Sequence, residues 1–375
     1  MEEKMVVKIS DNIVSPLGLT SEENYSAVKA GQSRLSLYEG KWNLPEPFVA
    51  SLIDREKIQV DGHYTFFEQI VIKSASTAIA EAGIDPASPR VIFVLSTTKG
   101  NVYLLDNGIT DFPDERVLLG VTADVVARHF GNPNKPVVVS NACISGVCAQ
   151  IVAMRLLERG AYDYAMVIGA DMQSPFIVSG FQSFKALSPE QCKPFDASRR
   201  GLNLGEAAAT MVLGTKETDG CWKLVRGAIR NDANHISGPS RVGEGSYRAL
   251  KYVLGDCPAD EIAFVNAHGT ATMYNDEMES IAVERAGLLD VPVNSLKGYF
   301  GHTMGAAGVL ESILSMRAID DNTILPTRGF ENLGVTHNVK VSNTIGHTEK
   351  KSFIKLLSGF GGCNAALLFR KEEQK

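Results

Sequence analysis

Short apolar runs alternate with amphipathic stretches along this chain. Val6-Val-Lys-Ile-Ser reads as a first strand, closed by Ser15-Pro-Leu-Gly18. Ser21 to Gly31 reads as a short helix, with Ser at its start and Gly at its end. Residues 32–62 break the pattern and read as a loop excursion. Phe67 to Ala82 is amphipathic at helical spacing, and Arg90 to Ser96 is a buried strand. Thr122 to Phe130 is a further helix. Val137, Val138 and Val139 are consecutive and β-branched, as in a strand buried on both faces. Gln150 to Gly160 returns to helical spacing and stops on glycine. Tyr164 to Ala170 is a strand, residues 171–200 are polar and irregular, and Ala207 to Val212 is a strand. Strand and helix alternate, which predicts an α/β fold with a mostly parallel sheet and right-handed crossovers.

The second half repeats this element order. Trp222 to Arg230 leads to His235-Ile-Ser-Gly238, as the opening strand leads to Gly18. Glu261 to Thr270 corresponds to Arg90 to Gly100. Val291 to Lys297, with a helix over Gly301 to Met316, corresponds to the Val137 unit. Val339 to Asn343 corresponds to the Tyr164 strand. Phe353 to Ser358 and Ala365 to Phe369 close the sheet. The reading is two pseudo-symmetric βα halves, residues 1–215 and 216–375, with a site formed by loops from both.

Composition narrows the function classes. A chain of 375 residues, 44% hydrophobic and 21% charged, suits a globular enzyme. A net charge of −6 without a Lys/Arg block argues against a nucleic-acid binder. No apolar run is long enough to span a membrane, and the charged N-terminus lacks a signal core. Six scattered cysteines show no metal-ligand spacing, so no metal site is expected, and they fit a reducing cytoplasm. No Gly-x-Gly-x-x-Gly follows the first strand, which leaves a dinucleotide site unsupported.

The candidate chemistry lies at strand ends. Cys143 sits where the Val137 strand hands over to a helix. The positive helix end there is expected to favour thiolate, the reactive form. His268 follows the Glu261 strand within Ala-His-Gly-Thr-Ala-Thr, and Lys297 ends the Val291 strand. His302 lies in Gly-His-Thr-Met-Gly-Ala-Ala-Gly, at or near a helix N-terminus, which favours a neutral ring offering an N–H. One thiol, two imidazoles and a lysine, with no carboxylate pair in such positions, point to acyl transfer rather than glycoside hydrolysis.

These segments carry a resemblance. Ser-Asn-Ala-Cys143, Pro194 to Glu206, Ala267 to Thr272, Asn275-Asp276, Lys297 to Gly308 and Ser358-Gly-Phe-Gly-Gly-Cys-Asn resemble, in order, the motifs of β-ketoacyl-acyl carrier protein synthases. The resemblance is to the elongating, Cys-His-His type, and it spans nearly the whole chain. It implies a thiolase-like fold layered αβαβα. It also implies decarboxylative Claisen condensation of a Cys-bound acyl group with malonyl-acyl carrier protein, in fatty acid, polyketide or aryl-polyene-type biosynthesis.

By the same resemblance Cys143 takes the acyl group, and His268 and His302 hold the malonyl thioester and stabilise the enolate. Lys297 supports His302. The backbone N–H groups of Cys143 and Phe360 form the oxyanion hole, with Phe360 also a mobile gate. Glu311, Asp276 and Glu279 organise Lys297. No resident cofactor is implied, because substrates ride the phosphopantetheine arm of an acyl carrier protein. A homodimer is implied, or a heterodimer with a chain-length-factor-like subunit. Cys363 stands where the family carries threonine and keeps a non-decarboxylating thiolase-type acyltransferase as the alternative. A chain-length-factor-like partner is a third reading, opposed by the presence of Cys143.

Overall fold

The structure is a computed structural model that describes residues 4–58, 61–106, 111–215 and 220–372. Ten strands form most of one large sheet. The first half supplies β1 (Val7–Val14), β2 (Val91–Ser96), β3 (Val137–Val139), β4 (Tyr164–Asp171) and β5 (Ala207–Gly214). The second supplies β6 (Trp222–Asn231), β7 (Ile262–Asn266), β8 (Pro292–Asn294), β9 (Ser352–Gly359) and β10 (Cys363–Lys371). Across the sheet the order is β8-β7-β9-β10-β6-β1-β5-β4-β2-β3, with the short strand Lys340–Val341 outside β8.

Read outward from the β1–β6 junction, both halves have the same order. Directions match as well. β2 is parallel to β3 and β4, and β5 is antiparallel to β4 and β1. β7 is parallel to β8 and β9, and β10 is antiparallel to β9 and β6. The spatial counterpart of β4 is therefore β9. The expected counterpart, Val339 to Asn343, holds only the extra edge strand. Each half is also mixed rather than mostly parallel. In the second half the cause is local: β9 turns into β10 through Phe360 to Gly362, and so tight a turn permits only an antiparallel neighbour.

Six helices matter here: α1 (Phe66–Ala82), α2 (Ser145–Glu158), α3 (Pro175–Ser183), α4 (Glu244–Leu254), α5 (Met273–Arg285) and α6 (Ala307–Asp320). α2 follows β3 and α6 follows β8, and these two helices pack together in the middle. A Cβ on Gly308 would stand 2.4 Å from Val147 N, so side chains there would push the helices apart. Both helices are buried on nearly every side, as a central layer requires. α1 covers β1 and β5, and α4 covers β6 and β10. The halves thus stack as αβαβα, the expected sandwich. Only two residue pairs join β1 to β6, so the sheet nearly divides there. Among the described residues no helix is long and apolar enough to cross a membrane.

Three local expectations change. Residues 171–200 contain α3, opened by the Ser174 cap with Pro175 in the first turn. β3 is half-buried rather than covered on both faces, because it is the outermost strand. Residues 36–38 and 48–51 are short strands, paired in a separate sheet with Leu204–Gly205.

Candidate active site

Cys143 stands in the turn from β3 to α2. Ala142 before it has φ 44°, a left-handed conformation held by its surroundings. Asn141 N donates to Ser145 Oγ at 2.7 Å, and that hydroxyl donates to Ala142 O at 2.6 Å. One side chain thereby satisfies both ends of the turn. Gly359 lets the end of β9 approach: a Cβ there would lie 3.1 Å from Cys143 N and 2.8 Å from Cys363 Sγ. Burial pushes the Cys143 thiol up to about 12, and Cys363 acts in the same sense. Lys297 and a backbone N–H from Phe360 oppose this without reversing it. The helix end was expected to favour thiolate; loss of water outweighs it, and the resting group is the thiol.

His268 follows β7, and His302 lies between β8 and α6. The rings meet edge to face, with centroids 5.0 Å apart. One donor atom each from Cys143, His268 and His302 lie within 4.8 Å of one another. Met304 N donates to His302 Nδ1 at 3.3 Å, which leaves the proton on Nε2; that buried atom has no partner among the described residues. His302 is not at a helix start, because Gly301 (φ 71°) and Met304 (φ 47°) delay α6 to Ala307. Burial, then the Lys297 ammonium, holds both rings well below the usual histidine range, so both are neutral. A soft divalent ion would find three ligands here, but Lys297 and Lys355 behind the rings oppose a cation.

The expected supporting carboxylates divide. Glu311 pairs with Lys297 at 2.6 Å, both buried. Asp276 and Glu279 do not join that pair. Glu279 accepts from the backbone N–H groups of His268 and Gly269 at 2.6 and 2.7 Å. Asp276 accepts from Thr270, Ala271 and Phe195. The unpaired N–H groups of the 268–271 turn recruit both carboxylates, so these residues hold His268 rather than Lys297. Burial, with Asp276 alongside, pushes the Glu279 carboxyl up to about 7.

Two residues escaped the sequence reading. Buried Asp171, at the end of β4, accepts from Thr97, from the backbone of Thr98 and from Gly305 N at 2.7 Å. It ties the first half to the His302 segment. Lys355, inside β9, bonds Glu311 Oε2 at 2.5 Å. The available signal was a lone lysine in the apolar run Phe353-Ile-Lys-Leu-Leu, which needs a buried partner.

Two cavities meet at Cys143. One of about 390 Å³ holds His268, His302, Thr270 and Thr272. The other, about 740 Å³, is apolar and lined by Ile177, Phe176 and Met304 among others. Phe360 lines both and packs against Phe181 and Phe184. Cys363 lines neither.

Comparisons with known proteins agree along the whole chain. Residues 6–219 match the Beta-ketoacyl synthase, N-terminal domain, and residues 223–331 the C-terminal domain. A 3-oxoacyl-[acyl-carrier-protein] synthase 2 of Rhizobium meliloti is 30% identical over 433 residues, covering 98% of this chain and 99% of its own. A putative polyketide beta-ketoacyl synthase 1 of Streptomyces halstedii is 30% identical over 422 residues, 99% of each chain. A beta-ketoacyl synthase of Burkholderia phymatum superposes with TM-score 0.89 at 26% identity, covering 98% of this chain and 99% of that one. A chain of the ketosynthase–chain length factor complex from Xenorhabdus doucetiae superposes with TM-score 0.91 at 23% identity over 98% of each chain. The chain belongs to the β-ketoacyl synthase family, the acyl-transferring condensing enzymes of fatty acid and polyketide synthesis within the thiolase superfamily.

Proposed function

We propose that the chain joins a Cys143-bound acyl group to malonyl-acyl carrier protein with loss of CO2. The observation that carries this is the Cys143 sulfur within 4.8 Å of a nitrogen from each of two imidazoles, where the cavity that holds both rings meets an apolar one. In the first stage Cys143 sulfur attacks an acyl thioester. Its proton leaves through an imidazole to the departing carrier thiolate. The carbonyl oxygen, briefly an oxyanion, faces the N–H groups of Cys143 and Phe360. The acyl chain enters the apolar cavity as Phe360 moves aside.

In the second stage the malonyl thioester occupies the cavity that holds His268 and His302, its carbonyl bound by the two rings. The bond to the carboxylate breaks, CO2 departs, and its electron pair forms an enolate that the imidazole N–H groups stabilise. The enolate carbon attacks the Cys143 thioester and expels the sulfur, which takes up a proton from solvent. Lys297 and Glu311 hold His302 in place. No resident cofactor takes part in this scheme. Cys363, 4% exposed and outside both cavities, is no second nucleophile, which disfavours the thiolase alternative.

The reading extends to assembly. The outer edge of β3, a half-buried run of valines, has no strand partner among the described residues, and Leu118 and Phe176 stand exposed. A dimer in the cytoplasm, of two copies or with a chain-length-factor-like subunit as in the Xenorhabdus neighbour, covers that edge. Incubation with an acyl carrier thioester and malonyl-acyl carrier protein tests the reaction. The expected products are one CO2 and one 3-oxoacyl thioester, with an acyl mass shift on the wild type that Cys143→Ala lacks. Acyl loading of the variant, or no CO2 from the wild type, defeats the proposal.

A further inference from the structure

Lys355 is the least expected charge in the molecule. It lies inside β9 between Ile354 and Leu356, with no exposed surface. Its in-register neighbour in β7 is Asn266. Burying an ammonium costs several kcal/mol unless partners replace water. Here they do: Nζ donates to Glu311 Oε2 at 2.5 Å, to Asn266 Oδ1 at 2.6 Å, and to the carbonyls of Asn266 and Ala267 at 3.3 Å each. Ala267 is the residue before His268. Glu311 spends its other oxygen on Lys297. A single ammonium therefore touches both the backbone that presents His268 and the carboxylate that pairs with Lys297. Its own strand ends at the Phe360 turn.

We propose that Lys355 is a positioning residue of the condensing site: its ammonium holds the His268 turn against the Lys297–Glu311 pair and sets the field in which both imidazoles act as N–H donors. This rests on the reading of the site as a decarboxylating one. The charge count explains the need. With Lys297 alone, Glu311 would neutralise its partner and the rings would face a balanced pair. With Lys355, the trio Lys297, Glu311 and Lys355 keeps one excess positive charge beside two rings that must not protonate, and Glu279, its carboxyl pushed up to about 7, offsets only part of it. The groups facing that ammonium are Glu311 from α6, Lys297 from the segment after β8, Glu279 from α5, and the two imidazoles. Lys355 adds to the burial and the Lys297 charge that keep both rings neutral. Burial pushes Lys355 itself down to about 8 against the pull of Glu311, so its charge is present at neutral pH and lost in mild alkali.

The test uses full-length protein labelled with 13C-histidine, as wild type, Lys355→Met and Lys355→Gln. Glutamine keeps donors for Glu311 and the carbonyls but carries no charge, and serves if methionine prevents folding. NMR titration of the free protein follows the His268 and His302 rings. In both variants the rings should gain a proton at a higher pH than in wild type. Rings that hold out to the same pH in all three proteins overturn the proposal. The second readout is CO2 release from malonyl carrier against pH. Wild type should lose rate above about pH 8, whereas both variants should run about tenfold slower at neutral pH and lack that alkaline limb. A merely structural lysine would lower acylation and decarboxylation by one common factor and leave the profile's shape, which also overturns the proposal. A wild type that releases no CO2 defeats the reaction reading instead, and the ring titration still decides the role of Lys355.

Discussion

The turn from β3 to α2 and the stretch from β8 to α6 occupy the same place in the two halves of the sheet. They are built in opposite ways. The first is short, residues 140–144, and its polar groups are satisfied by backbone and the Ser145 hydroxyl. The second runs over residues 295–306, through the one-turn helix Lys297–Phe300, and is backed by the buried ions Lys297, Glu311 and Lys355. The difference follows the work of each. A nucleophile needs a fixed direction, which backbone geometry supplies, and Cys143 rests as a thiol with no ion pair of its own. A site that must receive the charge of an enolate needs a fixed field, and that takes buried charges locked in place.

The comparison breaks first, and by most, at His302. If the two segments divide the labour as described, His302→Ala should lower CO2 release from malonyl carrier by roughly 10²–10⁴-fold, the range of a lost general acid–base group. Loading of Cys143 should remain measurable as a mass shift, because His268 still stands beside the sulfur. Equal losses in loading and in CO2 release would mean that the two segments do not act separately.

What could be read from the chain follows the same divide. Cys143, His268 and His302 stood out because each sits among small residues just past an apolar run, and that context is local. Strand order could be read only in part. The correspondence of β1, β2 and β3 with β6, β7 and β8 follows element order, but the match of β4 with β9 needs the sheet itself, because the Lys340–Val341 strand intervenes in sequence. Asp276 and Glu279 were reached through the family resemblance alone, and not in their aim. Two oxygens on each take whichever N–H groups the fold brings near, here the 268–271 turn. Lys355 and Asp171 were missed for the reverse reason: each has meaning only through partners 44 to 134 residues away.

The next largest effect falls on stability. Glu311→Gln leaves Lys297 and Lys355 sharing a neutral amide, and removing one member of a buried ionic group typically costs about 3–5 kcal/mol. Denaturant unfolding near neutral pH should show a loss of that order. The sign with pH is fixed. The two ammoniums hold the Glu311 carboxyl below its usual 4.5 despite burial. Its contribution is therefore complete above about that pH and fades as pH falls through the folded value. Wild type and variant should converge in acid. A constant gap at every pH would show that packing, not charge, sets the difference.

The smallest effect belongs to the other segment and sharpens the contrast. Ser145→Ala removes one hydroxyl that takes Asn141 N–H and gives to Ala142 O. Both groups are partly open to solvent, so water recovers some of the loss, and about 1 kcal/mol is expected. No ionised group is involved, so the loss should stay flat even below about pH 4.5, where that of Glu311→Gln fades. The strained Ala142 should relax and the thiol drift from its direction, which lowers the rate of acyl loading more than the stability change suggests. Decarboxylation by protein already loaded should change little, because both bonds of the Ser145 hydroxyl lie within its own turn. A pH-dependent loss, or one as large as that of Glu311→Gln, would show that the thiol turn also leans on buried charge and that the two segments are alike after all.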